Sequence, residues 1–280
     1  MTVSATQGVI AFYDTHPINE DEILAKLAAR GDDLDSLTQD KLKDFDQDHY
    51  GGTEVVDILA ERAGIGARHH VLDVCSGMGG PARWLAHTRG CRVTGLDFTQ
   101  SRVEAARRLT ARVGLEQRVD FVHGDATAMP LPDTAFDIVV SQEAWLHIPD
   151  KAAVIGQCAR VLRPGGTLAF TDVTLSASLT PLEESRLVAE MHAPGVAWTA
   201  RYLELLATAG LSVKTCEDLS AFWTDTLVKR LAMYRGLRDT TVAKFGAAHF
   251  DAWDATYAFF VGLFTAGKLG GARIVARKPD

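Results

Sequence analysis

The stretch "VLDVCSGMGG" at residues 71–80 decides the fold of this chain. Its first half, Val71–Val74, is apolar apart from Asp73, which is typical of a strand buried on both faces of a sheet. Its second half has three closely spaced glycines, which suit a tight turn into a helix. In an open α/β sheet, ligands bind beyond the carboxyl ends of the strands. The stretch therefore predicts such a sheet, with a ligand site after its first strand.

Outward from this stretch, apolar strand-like segments alternate with helical ones, which predicts right-handed βαβ units. The predicted strands are "HHVLDVC" (69–75), "CRVTGLDF" (91–98), "RVDFVHGDA" (118–126), "FDIVVSQEA" (136–144), "TLAFTDV" (167–173), "LSVKTCEDL" (211–219) and "GARIVARKP" (271–279). The fold class is therefore α/β, a Rossmann-like seven-stranded, mostly parallel sheet with helices on both faces. We expect a helical N-terminal extension or lid at residues 1–68, the Rossmann-like domain at residues 69–280, and a helical insertion at about residues 221–268.

Composition limits the classes of partner. The 280 residues carry a formal net charge of −7 with no long basic block, which argues against nucleic acid as the main ligand. The chain has no apolar run of about 18 residues and no secretory leader pattern, so we expect a cytoplasmic protein without a membrane partner. Its four cysteines lie far apart, which predicts no metal site and no disulfide. We expect a monomer or homodimer that acts on a small molecule.

The glycine turn itself fits two ligands. Residues 77–82 match G-x-G-x-x-A, and Asp97 follows about 20 residues later, as in dinucleotide-binding turns. Asp73 argues against a dinucleotide, since its carboxylate would repel a pyrophosphate. The same acid suits a ligand that carries an ammonium group close to a ribose, such as S-adenosylmethionine. Pro81 also lacks an N–H for an anion. The turn therefore favours the methyl donor, and NAD stays open as the alternative.

The downstream blocks "VDFVHGDATAMPLPDTAFDIVVSQ" (119–142) and "VLRPGGTLAFTD" (161–172) complete the pattern. With them, residues 69–175 resemble the class I S-adenosylmethionine-dependent methyltransferases. The resemblance implies S-adenosyl-L-methionine as cofactor and S-adenosyl-L-homocysteine as product. Carried over by position, it implies these contacts with the donor: the methionine part with Asp73, Gly77 and Gly79, the ribose with Asp97, the adenine with Phe98, Asp125 and Ala126, and the sulfonium region with Gln142.

The segment "SQEAWLHIPDK" (141–151) resembles the glycine, sarcosine and dimethylglycine N-methyltransferases. This resemblance implies N-methylation of an amino acid or related amine. Methylation of O, S or C in a small natural product is the alternative, and an NAD-dependent oxidoreductase or a non-catalytic module is a further one. The catalytic candidates are His147 and Gln142. The substrate-binding candidates are His147, a lid pair of His49 and Tyr50 in "DFDQDHYGG" (44–52), and Arg186 and Trp198 after the fifth strand.

Cys75 departs from the family pattern, which usually has glycine at this position. Cysteine is small, so we expect it to fit the turn with a negative φ. A redox or metal role is disfavoured, because no Cys or His stands next to it in the sequence.

Overall fold

The computed structural model describes residues 18–280, together with Gly8, Ile10 and Tyr13. The rest of the predicted N-terminal extension, residues 1–7, 9, 11, 12 and 14–17, lies outside the described residues. The division of the chain near residue 69 and the role of the N-terminal part as a lid therefore stay predictions.

An eight-stranded, mostly parallel sheet lies at the centre of the described part of the chain, with the strand order β3-β2-β1-β4-β5-β8-β7 and β6 paired to β5. The strands are β1 (His70–Val74), β2 (Arg92–Asp97), β3 (Val119–His123), β4 (Phe136–Gln142), β5 (Leu162–Leu175), β6 (Ala197–Trp198), β7 (Ser212–Asp218) and β8 (Leu269–Arg277). Strand β8 runs antiparallel between β5 and β7. All seven predicted strands are present, but the predicted number is wrong by one. The additional strand, β6, has only two residues, too few to show an apolar period.

Helices cover both faces of the sheet. In residues 18–280 they are α1 (Glu20–Arg30), α2 (Gln39–Leu42), α3 (Gly52–Ala63), α4 (Gly80–Arg89), α5 (Gln100–Arg112), α6 (Lys151–Val161), α7 (Pro181–Met191), α8 (Thr199–Thr208), α9 (Ser220–Gly236), α10 (Arg238–Phe245) and α11 (Ala247–Thr265). Single 3₁₀ turns lie at Leu34–Ser36 and Trp145–His147. None of the helices in residues 18–280 is long and apolar enough to cross a membrane.

Strand β1 is apolar on both sides because it separates two cores. Leu72 and Val74 lie in one core with residues of α6 and α8, and Val71 lies in the other with residues of α3, α4 and α5. This arrangement places β1 in the middle of the sheet, between β2 and β4. The strand order reverses between β1 and β4, and a crevice opens there at the carboxyl ends of the strands.

Helices α9–α11 form the predicted insertion and pack beside the sheet. Trp223 of α9 and Phe260 of α11 are buried in a third core, together with Leu146 and Val173 from the sheet side. The Trp223 ring lies directly against the backbone of Gly271 in β8. This contact fixes the insertion over the end of the sheet where the crevice opens.

Gly271→Ala tests this contact, because a Cβ at position 271 would lie 2.0 Å from Cε3 of Trp223. We expect the free energy of unfolding to fall by about 1–3 kcal/mol, as in other overpacked cores. Urea unfolding followed by circular dichroism measures the effect. Gly262→Ala in α11 is the control. No atom lies within 4 Å of the Cβ that would be added there, so we expect a gain of roughly 0.5–1 kcal/mol. Equal stabilities of wild type and Gly271→Ala would contradict this packing.

Candidate functional site

A cavity of about 530 Å³ lies at the carboxyl ends of β1, β2, β3 and β4. Three parts of the chain complete its wall: the N-terminal segment, the 3₁₀ turn after β4, and the insertion. Of the predicted site residues, the structure brings ten to this wall: His49, Tyr50, Asp73, Gly77, Asp97, Phe98, Asp125, Ala126, Gln142 and His147. Gly79, Arg186 and Trp198 are not on it. Among the described residues, no group of three or more His, Cys, Asp or Glu side chains could hold a metal ion.

The turn after β1 has a left-handed backbone. Cys75 has φ 61°, Gly77 has φ 54° and Gly79 has φ 76°. The expectation of a negative φ at Cys75 is therefore wrong. The amide of Ser76 donates to the carbonyl of Leu96 in β2 at 3.0 Å, and this bond holds the turn against the neighbouring strand. A non-glycine residue in this region costs about 1–2 kcal/mol.

Gly79 shapes the turn from outside the cavity. It stands at the N-cap of α4, where a Cβ would lie 2.3 Å from Cζ of Phe121. The next glycine, Gly80, is equally confined, since a Cβ there would lie 2.1 Å from the carbonyl oxygen of Asp46. In the structure Gly79 allows close packing of the turn, and its contact with the donor stays a prediction.

Two carboxyl groups face the cavity at the ends of β1 and β2. Asp73 is only 3% exposed, and its Oδ2 has no hydrogen-bond partner. Burial, and then the charge of Asp97, raises the pKa of Asp73 to about 7. Asp97 accepts hydrogen bonds from the amides of Gly77 and Thr99, each at 2.8 Å. Burial raises the pKa of Asp97 as well. The pair favours a ligand with positive charge or hydrogen-bond donors and disfavours a phosphate.

The end of β3 supplies a further acid. Oδ1 of Asp125 accepts hydrogen bonds from the amide and hydroxyl of Thr127, each at 2.7 Å, which fixes the carboxyl orientation. Ala126 is buried beside it, and the half-buried ring of Phe98 lies on the same wall. An acid, a small residue and an aromatic ring are thus available for a flat, polar group such as a nucleobase.

Residues 44–52, here called the strap, close one side of the cavity. A buried ion pair of 2.9 Å joins Asp46 to Arg83 of α4, and an ion pair of 2.6 Å joins Asp48 to Arg102 of α5. The amide of Tyr50 donates to Oε2 of Glu143 at 2.6 Å. The strap is therefore held both to the helices after β1 and β2 and to the end of β4.

His49 is a neutral part of the strap. Its Nε2 lies 2.8 Å from Oε1 of Gln47. Burial, and then the charge of Arg230, lowers the pKa of His49 to about 4. The imidazole is therefore uncharged at neutral pH.

His147 lies in the 3₁₀ turn after β4, with its ring on the cavity wall. Its Nδ1 is 2.7 Å from the carbonyl oxygen of His192, and its Nε2 is 3.0 Å from the hydroxyl of Tyr13. A carbonyl oxygen only accepts, so Nδ1 carries the proton in this bond and Nε2 presents its lone pair. The Tyr13 hydroxyl therefore donates to Nε2, and the tautomer is that of a general base.

Buried polar groups hold the turn that carries His147. The amide of Leu146 donates to Oδ1 of Asp172 at 3.1 Å, and the hydroxyl of Tyr202 donates to Oδ2 of the same carboxyl. The ammonium group of Lys151 donates to the carbonyl oxygens of Trp145 and Ile148, the latter at 2.8 Å. The position of His147 therefore depends on the buried side chains of Lys151, Asp172 and Tyr202, which do not line the cavity.

Arg186 and Trp198 do not line the cavity, and their role in substrate binding stays a prediction. Arg186 pairs with Glu190 at 2.6 Å, and its guanidinium lies 3.9 Å from the ring centre of Phe259. Trp198 pairs with β5 in the sheet and is 44% exposed. Arg186 is thus a helix residue that already has an ion-pair partner, and Trp198 is a strand residue on the surface.

Among the wall residues that were not predicted, three bear on the chemistry of the site: Tyr13, Glu143 and Arg230. Glu143 follows Gln142 with φ 46°, and its Oε1 accepts from the hydroxyl of Thr171 at 2.7 Å. Burial raises the pKa of Glu143 to about 7. Its place beside the predicted Gln142 was the one sequence signal available for it. Tyr13 and Arg230 reach the wall from distant parts of the chain, and no local pattern marks them.

Comparisons with known proteins show similarity to methyltransferases. The family model described as "Methyltransferase domain" matches residues 72–170. The chain is 34% identical to 27-O-demethylrifamycin SV methyltransferase of Amycolatopsis mediterranei, over 81% of this chain and 84% of that enzyme. It is also 34% identical to the glycine/sarcosine/dimethylglycine N-methyltransferase of Actinopolyspora halophila, over 59% of this chain and only 29% of that enzyme.

A solved structure shares the fold along nearly the whole chain. It is described as a putative sarcosine dimethylglycine methyltransferase from Galdieria sulphuraria, and it superposes with a TM-score of 0.75 at 20% sequence identity. The match covers 93% of this chain and 98% of that one. The Rossmann-like α/β fold predicted from the sequence is confirmed.

The left-handed backbone at Cys75 gives a stability prediction. We expect Cys75→Val to lower the free energy of unfolding by about 1–2 kcal/mol, because a branched Cβ is poorly tolerated at positive φ. Cys75→Gly removes that strain at an entropic cost of about 0.5–1 kcal/mol, so we expect it to stay within about 1 kcal/mol of wild type. Urea unfolding measures both, with Cys216→Val on the exposed face of β7 as control. Equal stabilities of Cys75→Val and Cys75→Gly would contradict the strained turn.

Proposed function

Because the chain belongs to the class I S-adenosylmethionine-dependent methyltransferases, we propose that it methylates a hydroxyl group of an apolar small molecule, with His147 as general base. Membership in this family sets aside the NAD-dependent oxidoreductase and the non-catalytic module. The acceptor is a small molecule, and its reacting atom is the part that we propose. A cytoplasmic location, a monomeric or homodimeric state and the absence of nucleic-acid partners stay predictions.

The acids at the strand ends suit the donor. When bound, S-adenosylmethionine supplies an electrophilic methyl group on its sulfonium. The unpartnered Oδ2 of Asp73 is a buried acceptor for the donor's ammonium group. Each oxygen of Asp97 receives one amide hydrogen bond and has a second lone pair for a ribose hydroxyl. Asp125, Ala126 and Phe98 would hold the adenine, and Gln142 would face the sulfonium.

One observation carries the assignment of the acceptor atom: the hydrogen bond from the Tyr13 hydroxyl to Nε2 of His147, at 3.0 Å. This hydroxyl occupies the position that an acceptor hydroxyl would take. The His192 carbonyl holds the imidazole as the tautomer that accepts at Nε2. A base in this position raises the nucleophilicity of a hydroxyl as the methyl group is transferred. The acceptor hydroxyl would replace the Tyr13 hydroxyl at Nε2, and its proton would move to that nitrogen. The strap would exclude water from the reacting atoms.

The insertion side of the wall supports an apolar acceptor. Its residues there are mostly aromatic or sulfur-containing, namely Met191, Met233, Tyr234, Trp253, Tyr257 and Phe260. Such side chains supply a large apolar contact area and adapt to irregular shapes. The relative that is 34% identical over 81% of this chain is named for an O-methylation, which also supports a hydroxyl acceptor.

N-methylation of an amino acid or related amine is the second candidate. The resemblance of residues 141–151 to glycine and sarcosine N-methyltransferases favours it. The position of Glu143 also supports N-methylation, since its carboxyl group lies on the wall beside the rings of Tyr50 and Tyr257. Carboxylates and aromatic faces both attract a cationic amine. This amine must lose its proton before it can accept a methyl group.

Two acceptor pools separate these candidates. One contains phenols and alcohols with an apolar ring system, and the other contains amino acids and their N-methylated derivatives. Each is incubated with donor labelled in the methyl group, and labelled products are identified by mass spectrometry. We expect O-methyl products from the first pool. Products from the amine pool alone would replace the proposal with the second candidate, and no product from either pool would contradict both.

We expect His147→Asn to lower kcat for a hydroxyl acceptor by about 10²–10⁴-fold, the usual contribution of a general base. Donor affinity should stay within about twofold, because His147 contacts the acceptor side. Initial rates and calorimetry with S-adenosylhomocysteine measure the two quantities. The control is His87→Asn, whose imidazole lies 3.2 Å from Asp40 and is not on the cavity wall. An unchanged kcat in His147→Asn would exclude a base role for this residue.

A further inference from the structure

Arg230 places a positive charge on the acceptor side of the cavity. The residue lies in α9 of the insertion and is half-buried on the wall. Its guanidinium donates to the carbonyl oxygen of His49 at 2.7 Å and lies 5.4 Å from the ring centre of Tyr50.

The other Lys and Arg side chains on the described part of the wall are accounted for. Arg102 forms an ion pair of 2.6 Å with Asp48, and Lys26 is exposed at the rim. In the described residues, no carboxylate lies within ion-pair distance of Arg230. A half-buried cation without a counter-ion is costly, and an anionic ligand would compensate it.

Glu143 does not supply that compensation. Its two carboxyl oxygens are engaged by the amide of Tyr50 and the hydroxyl of Thr171. Burial raises the pKa of Glu143 to about 7, so a large share of these carboxyls is uncharged at neutral pH. The charge of Arg230 therefore stays largely unbalanced within the protein.

The surroundings of Arg230 separate it from the donor acids. Its neighbours are His49 and Tyr50 of the strap and Tyr257 of α11. Burial raises the pKa of Tyr257, and the charge of Arg230 partly offsets this rise. The donor acids Asp73 and Asp97 stand at the ends of β1 and β2 instead. Aromatic neighbours exclude water and strengthen a charged hydrogen bond.

We propose that Arg230 binds an oxyanion, such as a carboxylate, on the methyl acceptor, which is therefore an apolar molecule with an anionic group. A guanidinium has five N–H donors, and the His49 carbonyl and the Tyr257 hydroxyl use two of them. The others are sufficient for a bidentate contact with an oxyanion. The identification of this side of the cavity as the acceptor side rests on the proposed function.

A matched pair of fluorescent probes tests the proposal without methyl transfer. The anionic probe is 8-anilinonaphthalene-1-sulfonate, and the neutral one is N-phenyl-1-naphthylamine, which has the same ring system without the sulfonate. Both are titrated into the full chain saturated with S-adenosylhomocysteine. We expect Arg230→Gln to lower the affinity for the anionic probe by about tenfold or more, the usual effect of losing a charged hydrogen bond. The neutral probe should change by less than about twofold.

Two further variants keep the test specific. Arg230→Lys keeps the charge but not the bidentate geometry, so we expect it to recover part of the anionic affinity. Arg235→Gln, in the same helix, removes an arginine that pairs with Asp254 at 2.6 Å and is not on the cavity wall. It should leave the affinities of both probes unchanged.

Three results would overturn the proposal. In the first, Arg230→Gln leaves the anionic probe unchanged. In the second, it weakens both probes equally, which would give Arg230 a structural role in the strap. In the third, it lowers the affinity for S-adenosylhomocysteine by about tenfold or more, which would place Arg230 in the donor site. Each of these leaves the hydroxyl-methylation proposal standing, because that proposal is tested by product formation and by His147→Asn.

Discussion

The constraint on which the site depends is a pair of carboxyl groups that face one cavity without a paired cation. Asp73 and Asp97 stand at the ends of adjacent parallel strands, and in the described residues no Lys or Arg lies within ion-pair distance of either. The charged form of Asp73 is disfavoured by burial and by its neighbour. A pyrophosphate would add further negative charge, whereas an ammonium group and ribose hydroxyls satisfy both acids. The fold is shared with dinucleotide-binding proteins, which also have an acid at the position of Asp97. Asp73 is the acid that favours a different ligand.

The backbone around these acids couples the donor and acceptor halves of the site. The left-handed turn at Cys75 brings the amide of Gly77 to Asp97 at 2.8 Å. The strap then connects the two halves, since Asp48 binds Arg102 near the donor and the His49 carbonyl binds Arg230 near the acceptor. The same short segment therefore borders both the proposed donor side and the proposed acceptor side of the cavity. The buried ion pair of Asp46 and Arg83 fixes the donor end of that segment.

Much of the fold followed from the sequence because strands buried on both faces are apolar at nearly every position. The strand-end acids were also predictable, since the carboxyl ends of parallel strands meet at one edge of a sheet. The φ of Cys75 was not, because a sequence gives the size of a side chain but not the dihedral angle that a turn imposes. The additional strand, β6, was not predicted for a different reason: two residues are too few to form a pattern.

The acceptor side shows where sequence reasoning ends. Arg186 and Arg230 are both helix arginines, and only tertiary packing puts Arg230 on the cavity wall. Glu190, four residues after Arg186, was the local signal that Arg186 already had a partner. Tyr13 meets His147 across 134 positions of sequence, and no local pattern encodes such a contact.

The most direct test of the account is the pH dependence of S-adenosylhomocysteine binding, measured by calorimetry from pH 5.5 to 8. Burial raises the pKa of Asp73 to about 7, so this carboxyl is mostly protonated at the acid end of the range. An ammonium group binds the ionised carboxylate. The affinity should therefore rise with pH below about 7, by up to about tenfold per unit, and binding should release a proton. Asp73→Asn should bind more weakly and lose most of this slope. A wild-type affinity that does not change with pH, or an equal slope in Asp73→Asn, would contradict the central role of the unpaired acid.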